Sequence, residues 1–175
     1  MWRTLLKYGL IAGVVAGGAL LATMLAFQGQ PPAGGVGMAL GFASMLVALS
    51  AVYVGIRHHR DVAGGGVIRF WPAFGLGLGI SAVAGLVYVA AWELCLVLAD
   101  RDFAAFFASS MVEGARSKGV DGAQLEQVIA EAQAFEAMYR NPLVRMPMTF
   151  VEIFPVGVLV SLVSALVLRR PRAAR

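Results

Sequence analysis

Charge is what this sequence has least of. Only 14% of its 175 residues are Asp, Glu, Lys or Arg, against roughly 25% in a soluble domain. Hydrophobic residues make up 59%, and the mean hydropathy is +0.78. A water-soluble domain of this length leaves much of its surface exposed and could not hide that much apolar area. The same numbers exclude a disordered chain. Cysteine is nearly absent: Cys95 stands alone, which excludes an internal disulfide framework and a Cys-rich metal site. The two histidines, His58 and His59, are adjacent, and neighbours on a helix point about 100° apart, so they seldom share a metal. No Ser/His/Asp set, no H-E-x-x-H and no Gly-rich nucleotide fingerprint is present. Gly64-Gly65-Gly66 lacks the lysine and hydroxyl of a phosphate loop. Neither an enzyme nor a bound cofactor or metal is expected.

What is present is four long apolar runs, at 5–27, 34–56, 70–98 and 146–168. A helix rises about 1.5 Å per residue and a bilayer core is about 30 Å thick, so about 20 apolar residues span it. All four qualify, and in lipid such runs must be helical to satisfy their own backbone. The first run begins with Arg3 and Lys7 like a signal peptide. It is longer than a signal's apolar region, however, and no A-x-A pattern follows, so it reads as a retained span. The expected fold class is an all-α membrane protein, one membrane domain over residues 1–175.

Basic residues set the orientation. Arg3 and Lys7 precede the first span, Arg57, Arg60 and Arg69 lie between the second and third, and Arg169, Arg170, Arg172 and Arg175 follow the fourth. The first connection holds Pro31-Pro32 and no charge. Both termini and the second connection are therefore expected in the cytoplasm. The basic charge follows membrane topology rather than a polyanion-binding face, so no nucleic acid is expected. The segment around His58 and His59 reads as a solvated basic loop that attracts anionic lipid head groups.

The third connection, 99–145, then lies outside, and its five basic and seven acidic residues fit that side. It is too long for a plain loop. Asp102 is a natural N-cap, Phe103, Phe106, Phe107 and Met111 recur at helical spacing, and Lys118-Gly119 is a stop. Asp121 then precedes Gln124 in a capping-box-like arrangement, and Leu125, Val128, Ile129, Ala132, Phe135, Met138 and Tyr139 share a face up to Asn141-Pro142. Two short amphipathic helices are expected here, at the outer interface or folded over the bundle.

Wording in the second half carries a family resemblance. Gly65-Gly66-Val67-Ile68-Arg69-Phe70-Trp71 opens the third span, and Val87-Tyr88-Val89 and Trp92-Glu93 close it. Asn141-Pro142, Phe150-Val151-Glu152-Ile153-Phe154-Pro155-Val156-Gly157 and Leu162-Val163-Ser164-Ala165-Leu166 complete it. The chain resembles the bacterial membrane family known as domain of unknown function 4199. The resemblance implies a small inner-membrane protein with four spans and implies no activity.

Two acidic residues are out of place. Glu93 and Glu152 interrupt the third and fourth runs, and charged groups within spans are costly and commonly functional. Each lies about five residues from the outer end, roughly 7–9 Å deep. They could meet and share a proton or a cation. Alternatively each could snorkel to the interface or pair with Arg140 or Arg145. Pro155 removes a backbone donor and opposes the carbonyl of Val151, so a kink is expected there, with Gly157 just beyond. Gly9, Gly13 and Gly17, Gly37 and Gly41, and Gly75 and Gly79 allow close helix approach, within the bundle or to a second copy or a membrane-protein partner. Trp2, Trp71 and Trp92 sit near span ends, as interfacial anchors do. Cys95 reads as a small apolar residue. Two functions follow: a structural or accessory membrane component acting through helix contacts, or a proton- or cation-linked transporter or its subunit using Glu93 and Glu152.

Overall fold

In the computed structural model, residues 1–27, 34–98 and 102–170 are described. They form six helices: α1 (Trp2–Ala26), α2 (Gly34–Val62), α3 (Phe70–Leu98), α4 (Phe103–Ser117), α5 (Gly122–Tyr139) and α6 (Pro142–Leu168). Four of them, α1, α2, α3 and α6, are long and apolar enough to cross a membrane. Among the described residues there is no strand. An isolated bridge joins Ile68 to Arg170, whose amide donates to the Ile68 carbonyl at 2.9 Å. The Pro31-Pro32 turn, and Arg172 and Arg175, lie outside the described residues.

Small residues decide how the long helices meet. Gly9, Gly13 and Gly17 of α1 face Val83, Val87 and Ala91 of α3 in that order. Both series advance by four, so the two helices run parallel with a glycine groove on one seating a ridge of the other. A Cβ on Gly13 would stand 2.5 Å from the Val87 Cβ. Between α3 and α6 the order reverses: Gly77 faces Ser161 and Gly157 faces Ser81, so this pair is antiparallel. Both serines are buried, and both are hydrogen-bonded, as buried hydroxyls must be. Ser161 Oγ donates to the Gly157 carbonyl at 2.7 Å, and Ser81 Oγ reaches the same carbonyl at 3.2 Å. Leu49, Val52 and Ile56 of α2 fill the centre of the bundle with no exposed surface. The stripe on α1 is thus consumed inside the chain.

The connection between α3 and α6 is a helical hairpin. Asp102 caps α4, its carboxylate accepting from the amides of Ala104 at 3.0 Å and Ala105 at 3.2 Å. These two bonds, with Arg140 beside it, hold the Asp102 carboxyl below its ordinary range. Gly119, at φ +78°, turns the chain out of α4. Its amide donates to Arg116 and that of Val120 to Ala115, the paired bonds of a glycine-terminated helix. α6 opens with Asn141 accepting from the Leu143 amide at 3.0 Å and with Pro142 in the first turn.

Three expectations need correction. α2 does not stop near residue 56 but continues to Val62, so His58 and His59 lie on its last turns rather than in a loop. The polar extension carries its own support: Asp61 pairs with Arg60 at 2.7 Å and Arg57 at 3.7 Å. α6 starts at Pro142, four residues early, which makes Arg145 part of the long helix instead of the connection. Asp121 stands at the N-cap position of α5 but makes no side-chain capping bond. α6 itself passes through Pro147 and Pro155 as one helix.

Replacing Gly13 with Leu forces a side chain into Val87 and should cost about 1–3 kcal/mol, the usual penalty for overpacking. Gly18, beside which a Cβ meets nothing within 4 Å, should accept the same change with little effect. Unfolding in mixed micelles of the two variants checks this; equal losses would show that α1 is not seated on α3 through its glycines.

Candidate functional site

The hairpin end of the bundle holds both out-of-place glutamates, and they take different partners. Glu93, on α3, is gripped by Arg145 of α6 in a two-pronged pair: Nε to Oε1 at 2.8 Å and Nη2 to Oε2 at 2.5 Å. The side chains are only 14% and 21% exposed, respectively for Arg145 and Glu93. Arg145 also donates from Nη1 to the Tyr139 carbonyl at 3.3 Å, and its guanidinium stands 5.8 Å from the centre of the Tyr139 ring. A fork of this kind matches a carboxylate geometrically as well as electrically. One arginine thereby ties together the end of α3, the end of α5 and the start of α6.

Arg140 does not join that pair. It bridges Asp102 at 2.6 Å and Glu136 at 2.8 Å, and so links the start of α4 to the end of α5. Its side chain is well exposed, and such pairs contribute little stability. Glu152 is left without an ion pair or hydrogen bond among the described residues. Arg145, Thr149, Glu152 and Val156 recur every three or four residues, so they share one side of α6, with Glu152 about two turns below Arg145. The expected polar cluster of Glu93, Glu152, Arg145 and Arg140 is therefore three separate arrangements. The two glutamates hold no proton or cation in common through shared bonds, because both Glu93 oxygens are occupied by Arg145.

Glu152 instead lines a cavity of about 400 Å³ beneath the hairpin. That volume falls in the usual small-ligand range of about 300–1,000 Å³. Aromatic side chains from three helices form much of its wall: Tyr88 and Trp92 of α3, Phe103 and Phe107 of α4, Phe135 and Tyr139 of α5. They hold one another. Trp92 meets Phe103 edge-on at 4.9 Å, Phe107 lies 5.0 Å from Phe135, and Phe135 lies 5.2 Å from Tyr139. Trp92 Nε1 donates to the Tyr139 hydroxyl at 2.8 Å. Burial pushes the Tyr139 phenol up to about 12, against the pull of the Trp92 N–H and the Arg145 guanidinium. The opposite wall comes from α1 and α2, where Gly37 and Gly41 contribute no side chain.

Trp92 is thus not an interfacial anchor. It is 7% exposed, whereas Trp2 and Trp71 are 68% and 74% exposed. Cys95, one turn further on, is buried beside it. The aromatic wall was the part of the site that sequence reasoning missed. Its signal is the repeated four-residue spacing, Tyr88 to Trp92, Phe103 to Phe107 and Phe135 to Tyr139, which by itself gives the three pairs no common destination. Pro155 and Gly157 do not reach the cavity lining. Gly157 serves the contact with Ser81. Among the described residues, no group of three His, Cys, Asp or Glu side chains could hold a metal ion.

Replacing Arg145 with Met leaves a largely covered carboxylate unpaired and should cost about 1.5–3 kcal/mol, the worth of hydrogen bonds to a charged group. The double variant Glu93→Gln with Arg145→Met should lose less than the sum of the two single changes. A double-mutant cycle measures that coupling. Strict additivity would remove the pair from its role in closing this end.

Among curated proteins and among solved structures, nothing matches the chain. A family model does match, over residues 7–170, nearly the whole length and all six helices from the first turns of α1 onward. The chain belongs to the family described as Protein of unknown function (DUF4199).

Proposed function

We propose that this protein is a binding component of the bacterial inner membrane that takes a small amphipathic molecule into the cavity beneath its hairpin and carries out no covalent chemistry. The observation that carries this reading is the cavity itself: about 400 Å³, walled by aromatics and by side-chain-free glycine, with a single carboxylate, Glu152, turned into it. A mostly apolar pocket with few placed polar groups is the form small-molecule sites take. The alternative roles draw less support. The Gly9, Gly13 and Gly17 stripe that suggested an accessory role through partner docking is occupied by α3. The Glu93–Glu152 pair that suggested a two-carboxylate cation site is divided, with Glu93 neutralised by Arg145.

The reading places the termini and the α2–α3 turn in the cytoplasm and the α4–α5 hairpin on the other side. Arg57, Arg60, Arg69, Arg169 and Arg170 lie at the end opposite the hairpin, where the Ile68–Arg170 bridge ties the α2–α3 turn to the end of α6. The reading also takes α4 and α5 as amphipathic helices at that outer face. Ala104, Ala108, Ala132 and Tyr139 are turned inward, while Glu113, Glu126 and Glu131 remain outside the buried set.

Orientation is tested in a Cys95→Ala background with one cysteine at Ser117 or Val62, both exposed. In spheroplasts a membrane-impermeant maleimide should label Ser117→Cys, and should label Val62→Cys only after permeabilisation; the reverse pattern overturns the assignment. Binding is tested in lipid nanodiscs with benzyl alcohol, benzyltrimethylammonium and phenylmethanesulfonate as probes. At least one should raise the unfolding temperature of the wild type, since a ligand at about a hundred times its Kd adds about 2.7 kcal/mol. Gly41→Phe, which fills the cavity from a position where a Cβ meets nothing within 4 Å, should abolish that rise. No shift with any probe, or equal shifts in both proteins, overturns the reading.

A further inference from the structure

We infer that the cavity selects a monocation with an apolar body, such as a protonated or quaternary amine, with Glu152 as its counter-charge and the aromatic wall as its cage. The inference rests on the binding role proposed above and names the ligand class of that site.

Charge is the first argument. Glu152 is the one ionisable acid or base among the residues lining the cavity, apart from the two phenols. Among the described residues, the two arginines at the base of the hairpin are committed elsewhere: Arg145 to Glu93, Arg140 to Asp102 and Glu136. An anionic ligand would meet a carboxylate and, among the described lining residues, no cation. A neutral ligand would offer the Glu152 carboxylate no counter-charge in a wall that is mostly apolar. A cationic ligand supplies what the protein withholds.

Hydrogen bonding points the same way. Thr23 and Ser44 line the cavity, but both hydroxyls donate back into their own helices, to Ala19 at 2.8 Å and to Gly41 at 2.7 Å. The Trp92 N–H is spent on Tyr139. The hydroxyl hydrogens of Thr23 and Ser44 are thus spent while their oxygens can still accept, and the hydroxyl donors left on the wall are the Tyr88 and Tyr139 phenols. Acceptors, a carboxylate and π faces are the set that recognises an organic cation, and aromatic cages of this composition hold ammonium groups through the negative faces of the rings. A bare metal ion fits poorly, because calcium and magnesium need about six or more oxygen ligands and this wall is mostly carbon.

The contrast between the two glutamates is the third argument. The chain holds an arginine-matched carboxylate, Glu93, within the same end of the bundle, so arginine could have been set against Glu152 as well. Arg145 lies on the same side of α6 two turns away and is held off by its fork to Glu93 and by the Tyr139 carbonyl. The carboxylate in the cavity is the one kept without a resident cation.

The test compares benzyltrimethylammonium with neopentylbenzene, which has the same shape without the charge, and with phenylmethanesulfonate, by thermal-shift titration in the same nanodiscs. On the wild type, the cation should bind at least about tenfold more tightly than either. Glu152→Gln should lower affinity for the cation at least about tenfold and leave that for neopentylbenzene unchanged. Glu126→Gln, an exposed hairpin carboxylate, should change neither. If the neutral isostere binds as well as the cation, or Glu152→Gln holds the cation as tightly as wild type, the charge selection is wrong while the cavity remains a binding site. If Gly41→Phe alters the binding of none of the three, the binding role itself fails. The comparison of probes on unaltered protein stands even where Glu152→Gln does not fold.

Discussion

A carboxylate within an apolar helix must find a counter-charge, a proton or water, and the way Glu93 meets that demand organises one whole end of this protein. Its partner, Arg145, sits in the first turn of α6, on the helix that follows the hairpin. The fork between them joins α3 to α6 across the chain's longest connection, and the third donor of Arg145 seizes the last carbonyl of α5 at Tyr139. The hairpin is thus held by a charged fastening at its base rather than by apolar contact alone. Tyr139, clasped from one side by Arg145 and from the other by the Trp92 N–H, becomes the post on which the aromatic wall is hung.

That fastening sits over a bundle whose packing is uneven by design of its small residues. Where glycines face side chains, as along α1–α3 and at the crossed Gly77–Ser161 and Gly157–Ser81 contacts, helices approach closely and leave no space. Where glycine faces nothing, as at Gly41, the helices enclose volume instead. The same residue type therefore seals the centre of the bundle and opens the end beneath the hairpin. Buried hydroxyls at the sealed level are fully bonded to each other and to the Gly157 carbonyl. The open level has a carboxylate without such partners. Polar satisfaction and packing density change together along the bundle axis, and the change falls where α4 and α5 close over it.

The four long helices were legible because hydropathy and length are one-dimensional properties. The Asp102 cap and the Gly119 turn were legible because each is a local rule about a few backbone amides. The end of α2 was not, since a helix need not stop where its apolar run stops. Arg57, Arg60 and Asp61 support one another on the additional turn, and His58 lies 5.7 Å from the Tyr8 ring. The place of Glu93 near the end of α3 could be read by counting residues, but Glu152, expected level with it, lies about two turns further along α6 than Arg145, the partner of Glu93. Which neighbour each would meet could not be read, because that depends on how far α6 extends and how its faces are rotated. Starting α6 at Pro142 moves Arg145 from a loose connection onto a rigid helix, and from there it reaches Glu93 first. The aromatic wall was hidden for a related reason: three helical stripes, unremarkable singly, converge only after the hairpin folds back.

The difference between the two glutamates also bears on how such a site can exist at all. An isolated carboxylate in an apolar setting carries a desolvation cost of several kcal/mol unless it is neutralised. Glu93 is neutralised within the protein, at all times, by a partner fixed in place. Glu152 has no such partner among the described residues, so on the proposed reading its counter-charge comes from the cation that enters the cavity. A site of that kind responds to charge without spending one of its own on a permanent pair. It also explains why Arg145 must be firmly held: an arginine free to swing two turns down α6 would neutralise Glu152 and close the cavity to any other cation. On this view the fork to Glu93 and the Tyr139 carbonyl does two things, fastening the hairpin and keeping the nearest resident cation out of the space below it.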